Sequence, residues 1–321
     1  MKQLGRRDFL RLSALASALA GLGSTPSSAE SRNGIPYRTL GETGEKVSII
    51  GVGGYHIGFP HVSDADAVRI MRTAVDGGVN FFDNAYVYSD GRSERLMGEA
   101  LKDGYRDKVF LMTKFYTDAR DAAGAKQQLE ESLRRLNTDV IDLWQVHQVH
   151  RAEHPRLVYE NDLPEVLMKA KEEGKIRHYG FTGHSRPEYL QEMIDRGFAW
   201  ETVQMPVNPL DHHFTSFQNS VMQSALQKKI AVIAMKSLGG SPGQFVNNGK
   251  FLTVKDCLHY AMNLPVATVV SGMDTLERLQ ENLGVARDFK PLAKEEVVEI
   301  LAKCEQQAMT GRFEPYKQAR V

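Results

Sequence analysis

Residues 80–94 read N-F-F-D-N-A-Y-V-Y-S-D-G-R-S-E. An apolar run stops on a carboxylate, Asp83, and two tyrosines, Tyr86 and Tyr88, follow within five residues. A short apolar run of this kind reads as a strand buried on both faces, and its polar end as a group delivered to one edge of a sheet. The same form recurs on both sides. Strand-like runs begin at Val47 (V-S-I-I-G-V), Val79, Val109, Val140, Ile176, Thr202, Ile230 and Ala267, eight in all. Between them lie stretches of helical period, such as residues 64–76 with Ala67, Ile70, Met71, Ala74 and Val75, and residues 93–101 and 163–171. Spacing of three and four gives each helix one buried face.

Eight alternating β and α units in a chain of 321 residues predict an α/β fold of the (β/α)8 TIM-barrel type. An open doubly wound sheet would more often carry a Gly-rich first turn. G-V-G-G at Gly51 fails the G-x-G-x-x-G spacing, because His56 stands at the last position. Before the first run, G-E-T-G-E within residues 37–46 marks a hairpin closing the bottom of the barrel. Residues 295–306 form one extra helix at the C-terminal end.

Composition bounds the function. Apolar residues make up 42%, enough for a large core. Lys+Arg and Asp+Glu are both 40, so no basic field invites nucleic acid. Cys257 and Cys304 are too few for a disulfide framework, and they are expected to be free thiols in helices. The histidines show no H-x-H or H-E-x-x-H ligand pattern, and no metal is expected. His212 and His213 are candidates for the substrate mouth. Residues 1–29 stand apart. Arg6-Arg7 followed by Phe9-Leu10, a short weakly apolar stretch and a small-residue end at Ser27, Ser28 and Ala29 resemble a twin-arginine export signal. That reading implies the twin-arginine export machinery as a partner and a periplasmic or exported location. The barrel then occupies residues 30–321. The stretch is too short and too rich in Ala, Ser and Gly for stable membrane insertion. A monomer is the default.

In a barrel, chemistry gathers where strands end. The second run ends on Asp83, the third on Lys114 and the fourth on His147, with Tyr86 and Tyr88 in the turn after the second. A phenol titrates near ~10, too weakly acidic to protonate an alkoxide readily near neutrality. An ammonium beside it lowers that value, and a carboxylate keeps the ammonium charged and fixed. Such a set suits proton transfer to a carbonyl oxygen. Each residue alone has a plainer reading: Asp83 as a helix cap, Lys114 as a solvated charge, His147 as a core histidine, the tyrosines as packing. Three consecutive strand ends weaken those readings together.

F-D-N-A-Y-V-Y with G-R-S-E-R-L-M-G-E-A-L, then L-M-T-K and D-L-W-Q-V-H, resembles the aldo-keto reductase family over roughly residues 37–282. The resemblance implies a tetrad of Asp83, Tyr88, Lys114 and His147, because the family's tyrosine lies five residues after its aspartate. Tyr86 is left as packing or pocket wall. It also implies an NAD(P)H-dependent reductase of an aldehyde or ketone. The implied cofactor positions are Gly53, Gly54, Asp83, Thr182, His184, Gln204, Lys236, Ser237, Leu238, Gly272, Arg278, Glu281 and Asn282. Arg278 favours NADP(H) over NAD(H), since a guanidinium grips a 2′-phosphate bidentately. The sequence departs from the family at Gly183, Met235 and Gly272, where an amide, a stacking aromatic and a lysine are usual. Some relatives carry a C-terminal cysteine cluster; the tail here has only Cys304, so no iron–sulfur cluster is expected. The alternative is a dinucleotide-binding, redox-sensing module with slow turnover. A metal-dependent hydrolase on the same barrel would need ligands that the strand ends lack.

Overall fold

In the computed structural model, residues 30–116, 121–240, 246 and 251–318 are described. The twin-arginine reading of residues 1–29 lies outside them. Eleven strands occur in chain order among the described residues: β1 Ser31–Arg32, β2 Ile35–Thr39, β3 Lys46–Ser48, β4 Ile50–Gly53, β5 Phe81–Asp83, β6 Phe110–Phe115, β7 Ile141–Val146, β8 Ile176–Thr182, β9 Thr202–Pro206, β10 Ala231–Met235 and β11 Thr268–Gly272. The last eight close into a parallel barrel, each pairing with its sequence neighbours and β11 returning to β4. All eight predicted runs are barrel strands. The first run is divided: Lys46–Ser48 pairs antiparallel with the hairpin strand β2, and only Ile50–Gly53 enters the barrel.

The hairpin does close the bottom. Leu40 and Val47 pack with Phe81, Phe110, Met112, Leu143 and Ile233, the inward side chains at the N-terminal end of the barrel. A second, larger core lies between the strands and the outer helices. Sequence signals place those helices. The helix Asp64–Asp76 begins where the Ser63 side chain accepts from the Asp66 N–H, a cap that satisfies one orphan donor. It buries Ala67, Ile70, Met71 and Ala74, and stops at Gly77. The extra C-terminal helix runs Lys294–Ala308. Cys257 and Cys304 are buried free thiols in two of the helices. No helix among the described residues is long and apolar enough to cross a membrane.

One glycine shows how tightly the barrel is packed. A Cβ at Gly180 would sit 2.0 Å from Thr202 Oγ1 and 2.5 Å from the Thr202 carbonyl oxygen. Gly180→Ala is expected to destabilise the fold by about 1–3 kcal/mol, as overpacking does. Denaturant unfolding of the variant measures this, and a shift near zero would mean that β8 and β9 separate freely.

Candidate active site

The C-terminal strand ends surround a cavity of ≈ 870 Å³, within the usual size of a small-molecule site. β5 ends on Asp83 and β6 carries Lys114 one residue before its end, and both side chains are buried. The Lys114 ammonium donates to Asp83 Oδ1, to the Asn84 carbonyl oxygen at 2.7 Å and, at 3.5 Å, to the Tyr88 hydroxyl. Tyr88 lies over the same ammonium, with Nζ 5.1 Å from its ring centroid. The His147 ring, just beyond β7, stands edge-on to Tyr88 at 5.7 Å. Asp83, Tyr88, Lys114 and His147 therefore meet at one point and all line the cavity.

The chain between Tyr88 and the next helix explains the G-R-S-E stretch. Ser89, Asp90 and Gly91 are all left-handed, at φ 48°, 52° and 77°. Such backbone is costly for residues with a Cβ and collects at sites that need it. Ser93 then donates to the Gly54 carbonyl oxygen at 2.7 Å, fixing the loop after β4. Glu94 accepts from Thr113 at 2.7 Å, fixing the helix Arg92–Ala100 to β6. Tyr86 turns away from the cavity: its hydroxyl donates to Glu131 at 2.8 Å and its ring carries the Arg135 guanidinium at 4.3 Å. It is a packing residue.

The electrostatics correct one expectation. Lys114 does not lower the Tyr88 phenol. Burial, then Asp83 and Tyr55, push that phenol well above its usual 10. Asp83 and Lys114 form a nearly neutral pair, so the ammonium presents little net field to the phenol. Burial also draws Lys114 below its usual 10.5, against Asp83.

The remaining sequence-predicted positions divide. Gly53 and Gly272 are direct partners across β4 and β11 and, with Gly54, form cavity floor. Thr182, His184, Lys236, Ser237 and Leu238 form one wall. Arg278, Glu281 and Asn282 lie at the far end, on the helix Leu276–Arg287. Gln204 is the exception. It is buried behind Asp83, to which its amide donates at 2.5 Å, and it does not line the cavity. Asn282 is buried too, accepting from Ser271 at 2.9 Å. Arg278 pairs with Asp274 at 2.5 Å, and Asp274 also takes His61 at 3.3 Å. His212 and His213 are not among the described residues that line this cavity: His213 faces the Leu301 carbonyl oxygen at 3.0 Å.

Two departures from the family pattern have physical causes. A Cβ at Gly183 would meet the Val149 carbonyl oxygen at 2.6 Å, so no side chain fits there. A Cβ at Gly272 would meet His56 Nδ1 at 2.2 Å; the His56 ring fills the room a longer side chain would need. The cavity suits a polar ligand. Among its lining atoms, Ser237 Oγ and His184 Nδ1 are buried without a partner among the described residues, and such atoms ask for one. Burial, with Lys236, holds the His184 imidazole well below 6.5 and therefore neutral. Tyr55, His56, Phe59 and Val87 add an aromatic and apolar rim. Residues of this rim adjoining Gly54 were readable only as flanking sequence.

The sequence model of the Aldo/keto reductase family matches residues 49–250. The chain belongs to that family. It is an NAD(P)-dependent oxidoreductase by that membership and by its relatives. One is the 6-dehydroglucose reductase of Novosphingobium aromaticivorans, 30% identical over 219 residues, which span 64% of this chain and 69% of that protein. Another is the L-galactose dehydrogenase of Arabidopsis thaliana, 27% identical over 303 residues, 82% of this chain and 91% of that protein. The holo form of an aldo-keto reductase from Bacillus halodurans superimposes with a TM-score of 0.70 at 24% identity, covering 84% of this chain and 96% of that one. An aldo/keto reductase from Klebsiella pneumoniae, in complex with NADP and acetate, gives 0.69 at 24% identity, over 83% and 95%. At such identity these two likenesses speak for the barrel alone.

Proposed function

We propose that this aldo/keto reductase reduces an aldehyde or ketone to an alcohol, with NADP(H) preferred over NAD(H) and Tyr88 as the proton donor. The observation that carries the reading is the meeting of the Tyr88 hydroxyl, the Asp83–Lys114 pair and His147 at the floor of one cavity. When bound, the nicotinamide supplies the hydride. Tyr88 holds the proton that goes to the carbonyl oxygen. Lys114 and Asp83 orient Tyr88, and His147 orients the substrate from the other side. Ser237 and His184 offer the dinucleotide their unpartnered polar atoms. The relatives named for 6-dehydroglucose and L-galactose make sugar-derived carbonyls the first substrates to try. We also propose that residues 1–29 direct export of the folded chain, a segment to be tested by fusion to a reporter.

The test is the loss of nicotinamide absorbance when NADPH or NADH meets a panel of carbonyl compounds. Turnover with neither reductant would sink the reductase. A second reading, a redox-sensing module of slow turnover, draws support from the high pKa direction of Tyr88. It predicts tight binding with no turnover. For cofactor choice, Arg278→Ala is expected to weaken NADPH binding about 10- to 100-fold and NADH binding little, since one charge-assisted phosphate contact is removed. Equal losses for both would remove the 2′-phosphate from Arg278.

A further inference from the structure

The C-terminal tail reaches the cavity. Lys317 and Asp211 are fully buried, and Glu314 nearly so. The Lys317 ammonium donates to Asp211 at 2.6 Å, to Glu314 at 3.0 Å and to the Phe214 carbonyl oxygen at 2.8 Å. The other Glu314 oxygen accepts from the Tyr316 hydroxyl at 2.6 Å and from Asn208 at 2.9 Å. Buried charge sets of this kind add little net stability over an apolar replacement, but they fix geometry. The geometry fixed here is that of the Tyr316 ring, which lines the cavity edge-on to His184 at 5.8 Å.

That ring carries the Lys236 ammonium 5.1 Å from its centroid. Lys236 is itself unusual. Its backbone is left-handed, at φ 58°, which an L side chain rarely adopts. Its ammonium has no carboxylate or hydrogen-bond partner among the described residues, although it lines the cavity. The charged and titratable groups that act on it are Asp83 from β5, Lys114 from β6, His184 after β8, His56 after β4 and Tyr316 from the tail. A cation pinned on an aromatic face and facing an open cavity, without an anion of its own, is arranged to meet one.

We propose that Tyr316, clamped by Lys317, is a positioning residue that aims the Lys236 ammonium at the phosphates of the dinucleotide, which makes the C-terminal tail part of the cofactor site. The inference rests on the dinucleotide reading above.

The test is NADPH binding by fluorescence titration, without substrate, on the full chain between about pH 6.5 and 9.5. Burial and Lys114 hold Lys236 down at about 8. Phosphate prefers the charged form, so wild-type affinity is flat below pH 8 and falls as pH rises through it. His56 and His184 are both lowered and stay neutral across that range. Lys236→Met should bind weakly throughout and lose the break. Tyr316→Phe, which keeps the ring but frees it from Glu314 and Asn208, should keep the break and lose affinity less than Tyr316→Ala. Tyr316→Ala should lose about tenfold below pH 8, and its break should move up toward 10.5 as water reaches the ammonium. Tyr316→Leu, which guards against an unfolded variant, should show the affinity loss alone. Wild-type affinity and an unmoved break in Tyr316→Ala would overturn the role of the tail. A break that survives in Lys236→Met would overturn Lys236 as the group. No binding by the wild type would overturn the dinucleotide reading first, and this one with it.

Discussion

Tyr88→Phe is expected to lower kcat for carbonyl reduction by about 10²- to 10⁴-fold, the usual contribution of a positioned acid, while NADPH affinity stays unchanged. The substitution removes one oxygen and little else. The ring would keep its edge contacts with Tyr55 at 5.2 Å and His147 at 5.7 Å, and its face over Lys114. The pH dependence has a definite sign. Burial, Asp83 and Tyr55 keep the phenol protonated well past its usual 10, so at saturating NADPH the reduction rate is flat across neutrality and declines only in strong alkali. In the reverse direction the phenolate is the base. Alcohol oxidation should therefore rise about tenfold per pH unit through neutrality, because each unit multiplies the ionised fraction by ten. A variant that keeps turnover within threefold of wild type would move the proton donor to another group, with Lys114 and His147 the candidates beside Tyr88.

How much of this was legible in the sequence follows from how local each signal is. Eight apolar runs and their intervening periods carried the barrel, because burial on both faces writes itself into every strand. The run from Val47 was read as one strand because alternate partners share one apolar stretch: Val47 faces the hairpin's side of the core, while Ile50 begins the barrel ladder. Asp83, Lys114 and His147 were readable because each lies at or next to a strand end, and strand ends converge by topology. The Gln204 contact with Asp83 was hidden for the opposite reason. Gln204 ends no polar run, and only the fold reveals that its amide supports Asp83. Arg278 and Asp274, four residues apart across a helix start, were within reach of the helical spacing rule. Tyr316 was not. It comes to His184 and Lys236 from more than seventy residues downstream in the chain, through a clamp built from Asp211, Glu314 and Lys317. No window of sequence contains that clamp.

Lys114→Met should cost the fold about 3–5 kcal/mol as well as its activity, since breaking one side of a buried ion pair strands the other charge. Asp83 is 4% exposed. Without Lys114, one of its oxygens would keep only the Gln204 amide nearby as a named donor, and water has little access. Asp83→Asn alone strands the ammonium instead, leaving the Asn84 carbonyl oxygen and the Tyr88 hydroxyl to accept from it. Lys114 is already drawn below its usual 10.5 by burial, so it would respond by losing its proton. The double variant Asp83→Asn, Lys114→Met removes both charges and should be more stable than the sum of the single losses, by about 1–3 kcal/mol of coupling. Urea unfolding of the four proteins measures that cycle. Activity should not return with stability, because Tyr88 has lost the ammonium that lies beneath its ring. Strict additivity would mean that the two groups do not share a desolvated pair in solution. Recovered turnover in the double variant would mean that the pair holds the fold together and has no part in orienting Tyr88.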